Sequence, residues 1–225
     1  AITHAMADAG LEAQFVQGRR YTDERTLAIA EHVLVNDINK FIVDSITKAG
    51  HKAMGLHSLG SCAVFGKRLF LQTEDQRQLD VGLVGEVQAV NGELVSALAE
   101  AGVVSVIAPI ARDHAGSKLN INADSVAGEV AGALKAAKLV LVSDTHGIRT
   151  GETDDTLAST LKRTEIEQLV ASETIGTGML PKVEAAVSAL NQGVEKVHII
   201  DGRIAHSLLL EIFSKQGIGT EITLN

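Results

Sequence analysis

Aromatic residues are scarce in this chain: they make up 3% of its 225 residues, with no tryptophan and a single tyrosine. A protein that holds nucleic-acid bases by stacking needs more rings than this. The scarcity also makes the core aliphatic, built from Val, Ile, Leu and Ala, the composition of parallel strands covered by helices. Cysteine is rarer still. Cys62 stands alone, so neither a disulfide framework nor a cysteine metal site can form within the chain. In Ser61-Cys62-Ala63-Val64 it reads as a small core residue. No apolar run approaches the roughly 18–20 residues of a membrane span, and no basic-then-apolar signal opens the chain. A cytoplasmic protein without a membrane partner is the expectation. Positive charge is in deficit, 20 Lys and Arg against 28 Asp and Glu for a net charge of −8. That balance speaks against nucleic acid or an anionic membrane as partner. A nucleotide ligand stays open, since a few local cations suffice for phosphates.

What is present points to an α/β protein. Hydrophobic residues reach 45%, enough for a substantial core, and the length suits one large domain or two small ones. No repeat, low-complexity tract or Pro/Gly linker divides the chain, which favours one domain with two lobes. Roughly seven to nine strands alternate with helices. Ala1–Gly10 reads as a short helix, and Gln14–Val16 as a short strand. Leu27, Leu34 and Phe41 predict one long helix over Asp23–Ala49 with a continuous core face. Gly66-Lys67-Arg68 reads as a hairpin turn. Leu79–Val90 reads as a bent strand or a hairpin, and Ala111–Lys118, Gln72–Gln78 and Arg149–Ser159 as polar loops. Val103–Pro109 and Leu139–Val142 have the near-continuous apolar character of central strands.

Four stretches carry chemistry. In Leu119-Asn120-Ile121-Asn122-Ala123-Asp124, polar groups fall at every second position, and in an extended segment these share a face. Asn120, Asn122 and Asp124 then line one wall of a pocket, with Asp124 at a helix N-cap. An Asn-rich turn closed by an Asp cap is equally compatible. Arg19 and Arg20 precede a Thr/Asp helix start, as either a guanidinium clamp on an anion or solvated surface charge. Ser143-Asp144-Thr145-His146-Gly147-Ile148 follows a strand's carboxyl end, where open α/β sheets place ligands; an ordinary turn is the alternative. Thr174–Lys182 is a glycine-containing loop running into a helix over Val183–Asn191, an arrangement that can hold phosphate. It lacks the Walker A spacing.

Taken together and in order, these stretches resemble the amino acid kinase family, and within it the acetylglutamate kinases. The segment Gly18–Asp23 is similar to the family's substrate-arginine segment, Asp80–Val87 to its hairpin, and Asn120–Asp124 to its most telling motif. Ser143–Ile148 is similar to its nucleotide loop, Gly178–Val183 to the segment with its second lysine, and Val197–Arg203 with Gly217–Thr220 to its carboxyl end. The resemblance covers nearly the whole chain. It implies a three-layer αβα sandwich with a mainly parallel central sheet. Residues 1–225 would then form one such domain, with 1–110 as the amino-acid-binding lobe and 111–225 as the ATP-binding lobe. It implies ATP-dependent phosphorylation of the side-chain carboxylate of N-acetyl-L-glutamate, with Mg²⁺ on the ATP phosphates, in arginine biosynthesis.

By carry-over, Arg20 would hold the α-carboxylate of acetylglutamate and Asn120 would hydrogen-bond the same ligand. Lys182 would stabilise charge on the transferring phosphoryl group, and Asp124 would hold the active-site lysines in place. Asp144, Thr145, Gly147, Ile148, Gly176 and Gly178 would border the nucleotide. The resemblance implies no protein-held metal and a homodimer or higher homo-oligomer, with the helix over Asp23–Ala49 as the interface. The stretch His206–Thr220 is similar to the arginine-inhibited members, which makes arginine an expected feedback inhibitor.

Three departures stand out. The family's first lysine and Gly-rich phosphate loop lie upstream of the segment matching Ala1, so these residues are expected to be a fragment of a longer protein; if they were the whole molecule, little or no activity would be expected. Thr177 and Ala111 stand where the family usually has glycine. The competing expectations are a kinase for another acylamino acid or carrier-linked aminoadipate, and a catalytically inactive regulatory or binding subunit.

Overall fold

The computed structural model describes every residue except Glu74, Glu152, Asp154, Asp155, Thr177, Lys215, Gln216 and Asn225. Thr177 of the glycine loop, and parts of the loops expected at Gln72–Gln78 and Arg149–Ser159, therefore lie outside the described residues. The chain divides into two compact units, Ala1–Val126 and Ala127–Asn225. The division falls later than the expected 110/111 boundary, because two further strands complete the sheet structure of the first unit.

The first unit opens with α1 (Ile2–Asp8), whose Met6 is buried, and a hairpin of β1 (Phe15–Val16) and β2 (Arg19–Arg20). Gln17 and Gly18 form its two-residue loop with φ of 47° and 76°. Positive φ at both positions is the type I′ geometry whose twist matches paired strands. Asp23 then caps α2 (Glu24–Glu31), its carboxylate accepting the Thr26 N–H at 2.7 Å.

Past Glu31 the helix widens into a π-helical stretch, His32–Asn39, before resuming as α3 (Lys40–Lys48). This overturns the continuous core stripe expected from Leu27, Leu34 and Phe41. A π turn takes up more residues than an α turn, so the seven-residue register drifts around the axis. Phe41 is 70% exposed, while Val33, Val35 and Asn39 are buried. The Asn39 amide donates to the Val106 carbonyl at 2.8 Å.

β3 (Lys52–Leu56) pairs in parallel with β6 (Val103–Ile107). β6 is less enclosed than a central strand should be, with Val104 47% exposed. β4 (Val64–Gln72) runs straight through Gly66-Lys67-Arg68, which is bulged strand and not the expected turn. Its antiparallel partner β5 (Gln78–Val90) is one long strand, the first of the two readings the sequence left open. Between β5 and β6, α4 (Gly92–Glu100) is capped by Asn91. The expected polar loop at Ala111–Lys118 begins and ends in strand: β7 (Ile110–Arg112) and β8 (Lys118–Ile121) pair antiparallel and close a barrel with β4 and β5. Cys62 sits half-buried in a loop, its thiol donating to the Val64 carbonyl, and is not a core residue.

α5 (Ala123–Ala133) leads into the second unit. Here β9 (Lys138–Ser143), β10 (Thr160–Lys162), β11 (Lys196–Asp201) and β12 (Thr220–Thr223) form one sheet in the order β10-β12-β11-β9. The β9–β11 and β10–β12 pairs are parallel, and β11–β12 is antiparallel. β10 was not foreseen, since three residues carry too little pattern to read. α6 (Arg163–Ala171), α7 (Leu180–Asn191) and α8 (Ser207–Phe213) complete the unit. The core is aliphatic, centred on Leu141, Ala186, Leu190, Val197, Ile199 and Ile222. The α/β class and its parallel strand pairs thus agree with the sequence reading.

Candidate active site

In the first unit, a pocket is lined by Phe15, Gly18, Arg19, Arg20, Val84, Asn120, Ile121 and Asn122. The hairpin places Phe15 directly across from Arg20. The Arg20 guanidinium lies 4.7 Å from the Phe15 ring centroid, donates to Thr3 Oγ1 at 2.9 Å and approaches Met6 Sδ at 3.4 Å. Burial pulls the Arg20 pKa below its ordinary value, the direction desolvation imposes on a cation.

The Arg20 segment is tied to the rest of the pocket through Thr22, which is fully buried. The Asn120 amide donates to Thr22 Oγ1 at 3.2 Å, and that hydroxyl donates to the Arg20 carbonyl at 2.9 Å. The Thr22 backbone bonds both ways with the β5 segment, N–H to the Val81 carbonyl at 3.1 Å and carbonyl to the Leu83 N–H at 2.6 Å. Gly82 sits between them with φ of 79°, against the Thr22 carbonyl. Its own carbonyl accepts from Arg68 Nε at 2.9 Å, and Arg68 grips Asp80 through both carboxylate oxygens. Lys118, two residues before Asn120, meets Glu31 at 2.6 Å and locks β8 to α2.

The alternating trio of Asn120, Asn122 and Asp124 is only partly realised. Asn120 and Asn122 line the pocket, but the extended backbone ends before Asp124, because α5 begins at Ala123. Asn122 is the cap, its Oδ1 accepting the Ser125 N–H at 3.0 Å. Asp124 is half-buried in the first turn of α5, not at the N-cap the sequence suggested. A carboxylate there is favoured by the helix dipole. The cap role of Asn122 went unseen because Asn and Asp are equally good caps and both were available.

In the second unit, a cleft is lined by Thr145, His146, Gly147, Ile148, Arg149, Thr174, Ile175, Gly176 and Met179. It brings together Thr145, Gly147, Ile148 and Gly176 of the sequence candidates, whereas Asp144 and Gly178 do not line it. Thr220, itself fully buried, fixes the first loop: its hydroxyl accepts the Ile148 N–H at 2.8 Å and donates to the Ala158 carbonyl at 2.6 Å. The fit of the two loops was not readable from sequence, because Thr220 is remote from Ile148 along the chain. Lys182 lies in the first turn of α7, which starts at Leu180 and not at Val183 as expected. Its ammonium therefore shares the end of a helix whose dipole already favours anions. Among the described residues, no three His, Cys, Asp or Glu side chains converge as a metal site.

Beside the cleft, Asp201 is buried at the end of β11 and meets His146 Nδ1 at 3.0 Å. Hydrogen bonds from the Arg203 side chain, then from its backbone N–H, hold the Asp201 pKa down at about 2. A carboxylate held below its unfolded value of about 3.9 adds stability above that pH and loses it as pH falls through the folded value. The unfolding midpoint is therefore expected to drop as pH is taken from about 4 towards 2. In Asp201→Asn the same titration, followed by circular dichroism, should be flatter. Further along, Glu211 of α8 is buried against His198 at 2.6 Å. Burial pushes its pKa up, but the Ile218 N–H, His198 and the Gly219 N–H outweigh this, and the net shift is downward.

Comparison with known proteins gives the family of the chain. Residues 1–201 match the amino acid kinase family. The acetylglutamate kinase of Carboxydothermus hydrogenoformans is 43% identical over 99% of this chain and 77% of its own length. That of Methanocaldococcus jannaschii is 44% identical over 99% of this chain and 76% of its own. Among solved structures, an N-acetylglutamate synthase from Neisseria gonorrhoeae, complexed with coenzyme A and N-acetyl-glutamate, aligns with a TM-score of 0.85 at 24% identity. That alignment spans all of this chain and 50% of the synthase, and at such identity it speaks to the fold alone. The chain belongs to the amino acid kinase family, on the branch of the acetylglutamate kinases.

Proposed function

We propose that this protein transfers the γ-phosphoryl group of ATP to the side-chain carboxylate of N-acetyl-L-glutamate, forming N-acetyl-L-glutamyl 5-phosphate. The observation that carries the reading is the joining of Arg20 to Asn120 through Thr22 in one pocket, in a chain over 40% identical to acetylglutamate kinases. In this reading Arg20 and Asn120 hold the amino acid. Thr145, Gly147, Ile148 and Gly176 border the nucleotide, with Asp144 and Gly178 flanking. Mg²⁺ arrives on the ATP phosphates as part of the substrate. A carboxylate nucleophile has no proton to lose at neutral pH, so no general base is required, and the rate rests on alignment and charge. Lys182 and the first turn of α7 supply positive charge where the phosphoryl oxygens gain negative charge. Asp124 then serves as an organiser of charge, not as a proton acceptor.

The product is an acyl phosphate, which hydroxylamine traps as a coloured hydroxamate. Incubation with MgATP is expected to give hydroxamate with N-acetyl-L-glutamate and none with water as the only acceptor. Arg20→Ala should chiefly raise the KM for acetylglutamate. Preference for a larger acylamino acid or a carrier-linked aminoadipate would move the substrate assignment. ADP release without hydroxamate would overturn the reaction. Adding L-arginine to the same assay tests the feedback inhibition expected from the carboxyl-terminal segment. We further propose a cytoplasmic homo-oligomer joined through the helical run, where Ile38, Phe41 and Ile42 are exposed; sedimentation of the same preparation as a single copy would exclude it. No described helix is long and apolar enough to cross a membrane.

A further inference from the structure

Phe15 is conspicuous in a chain so poor in rings. It is 58% exposed, so it is not there to fill a core, yet it lines the pocket that holds Arg20 and Asn120. The type I′ turn at Gln17-Gly18 sets it opposite Arg20, whose guanidinium lies over the ring face at 4.7 Å. Thr3 and Met6 of α1 hold the guanidinium through its two terminal nitrogens. Ring, hydroxyl and thioether are all uncharged. The pocket lining contains two arginines, two asparagines and no carboxylate among the described residues. The guanidinium is thus immobilised by groups that leave its charge for an anionic ligand. An arginine already held flat loses less conformational freedom when that ligand arrives.

We propose that Phe15 is a positioning residue for Arg20 and thereby sets the preference of this pocket for ligands with an α-carboxylate. The proposal rests on reading the pocket as the acetylglutamate site. Phe15 acts through the cation–π contact, which fixes the plane of the guanidinium. Its effect therefore appears only with ligands that engage Arg20. N-acetyl-L-glutamate carries the α-carboxylate, and 4-acetamidobutanoate keeps the acetamido group and the terminal carboxylate without it.

Binding of both compounds is measured by calorimetry and by ligand-observed NMR on the wild type and on Phe15→Ala, Phe15→Leu and Phe15→Tyr. Phe15→Ala and Phe15→Leu are expected to bind N-acetyl-L-glutamate about five- to tenfold more weakly. Phe15→Tyr, which keeps the ring face, should stay within about twofold of wild type. Affinity for 4-acetamidobutanoate should be the same in all four proteins. Unchanged acetylglutamate binding in Phe15→Ala, or equal weakening of both ligands, would overturn the role given to Phe15 and leave the site assignment standing. A wild-type protein that binds neither compound would remove the site assignment, and this inference with it.

Discussion

Replacing Lys182 with alanine is expected to lower the turnover of phosphoryl transfer by about 10²–10³-fold while leaving the affinity for acetylglutamate within about twofold. The two halves of this expectation have separate physical origins. In the proposed reading, affinity for the amino acid comes from Arg20 and Asn120, which the Thr22 hydroxyl joins in the first unit. Turnover depends on charge that grows only as the phosphoryl group moves. Lys182 follows Pro181 in the first turn of α7, so its ammonium adds to the positive end of that helix's dipole. An interaction made mainly in the transition state lowers kcat when removed and leaves ground-state binding alone. Lys182→Arg keeps the charge but spreads it over a planar fork, and partial activity is expected. Rapid-quench measurement of acyl-phosphate formation separates the chemical step from product release. A near-normal rate in Lys182→Ala would contradict the role.

Replacing Gly82 with alanine should have the largest effect on folding of the changes considered, about 2–4 kcal/mol, or several degrees in the unfolding midpoint. Two costs add. The backbone at Gly82 has φ of 79°, a region L-residues enter at a cost of about 1–2 kcal/mol. The new Cβ would also press on the carbonyl of Thr22, which is backbone and cannot swing aside. Relief requires breaking the Leu83–Thr22 or Thr22–Val81 hydrogen bond. Thr22 holds the Arg20 carbonyl and the Asn120 amide, so acetylglutamate binding should weaken with stability. Nucleotide binding, proposed for the second unit, should not follow. Gly18 supplies the control: its φ is 76°, but a Cβ there meets nothing within 4 Å. Gly18→Ala is expected to cost only the conformational part, about 1–2 kcal/mol. Equal destabilisation of the two variants, measured by urea unfolding, would show that the contact with Thr22 carries no weight.

The sequence by itself determined a good deal about this protein. Its scarcity of rings and single cysteine set an aliphatic α/β core, and the ordered stretches from Gly18 to Thr220 carried the family. Motifs of that kind are legible because they depend on residue type and spacing. The helix start at Thr22-Asp23 was readable for the same reason, since it needs a side-chain acceptor at that position. The tertiary structure decided what depends on distant partners. The π-helical stretch at His32–Asn39 turned Phe41 out of the core, and no heptad count registers the change of pitch. Closure of β7 and β8 onto β4 and β5 made strands at both ends of an apparent loop. The start of α5 at Ala123 gave the cap to Asn122 and moved Asp124 into the helix. Thr22 joined Arg20 to Asn120, and Thr220 held the Ile148 loop, through hydrogen bonds between residues far apart in the chain. Local sequence sets which backbone conformations are cheap, but which side chains meet is settled only when the strands and helices pack.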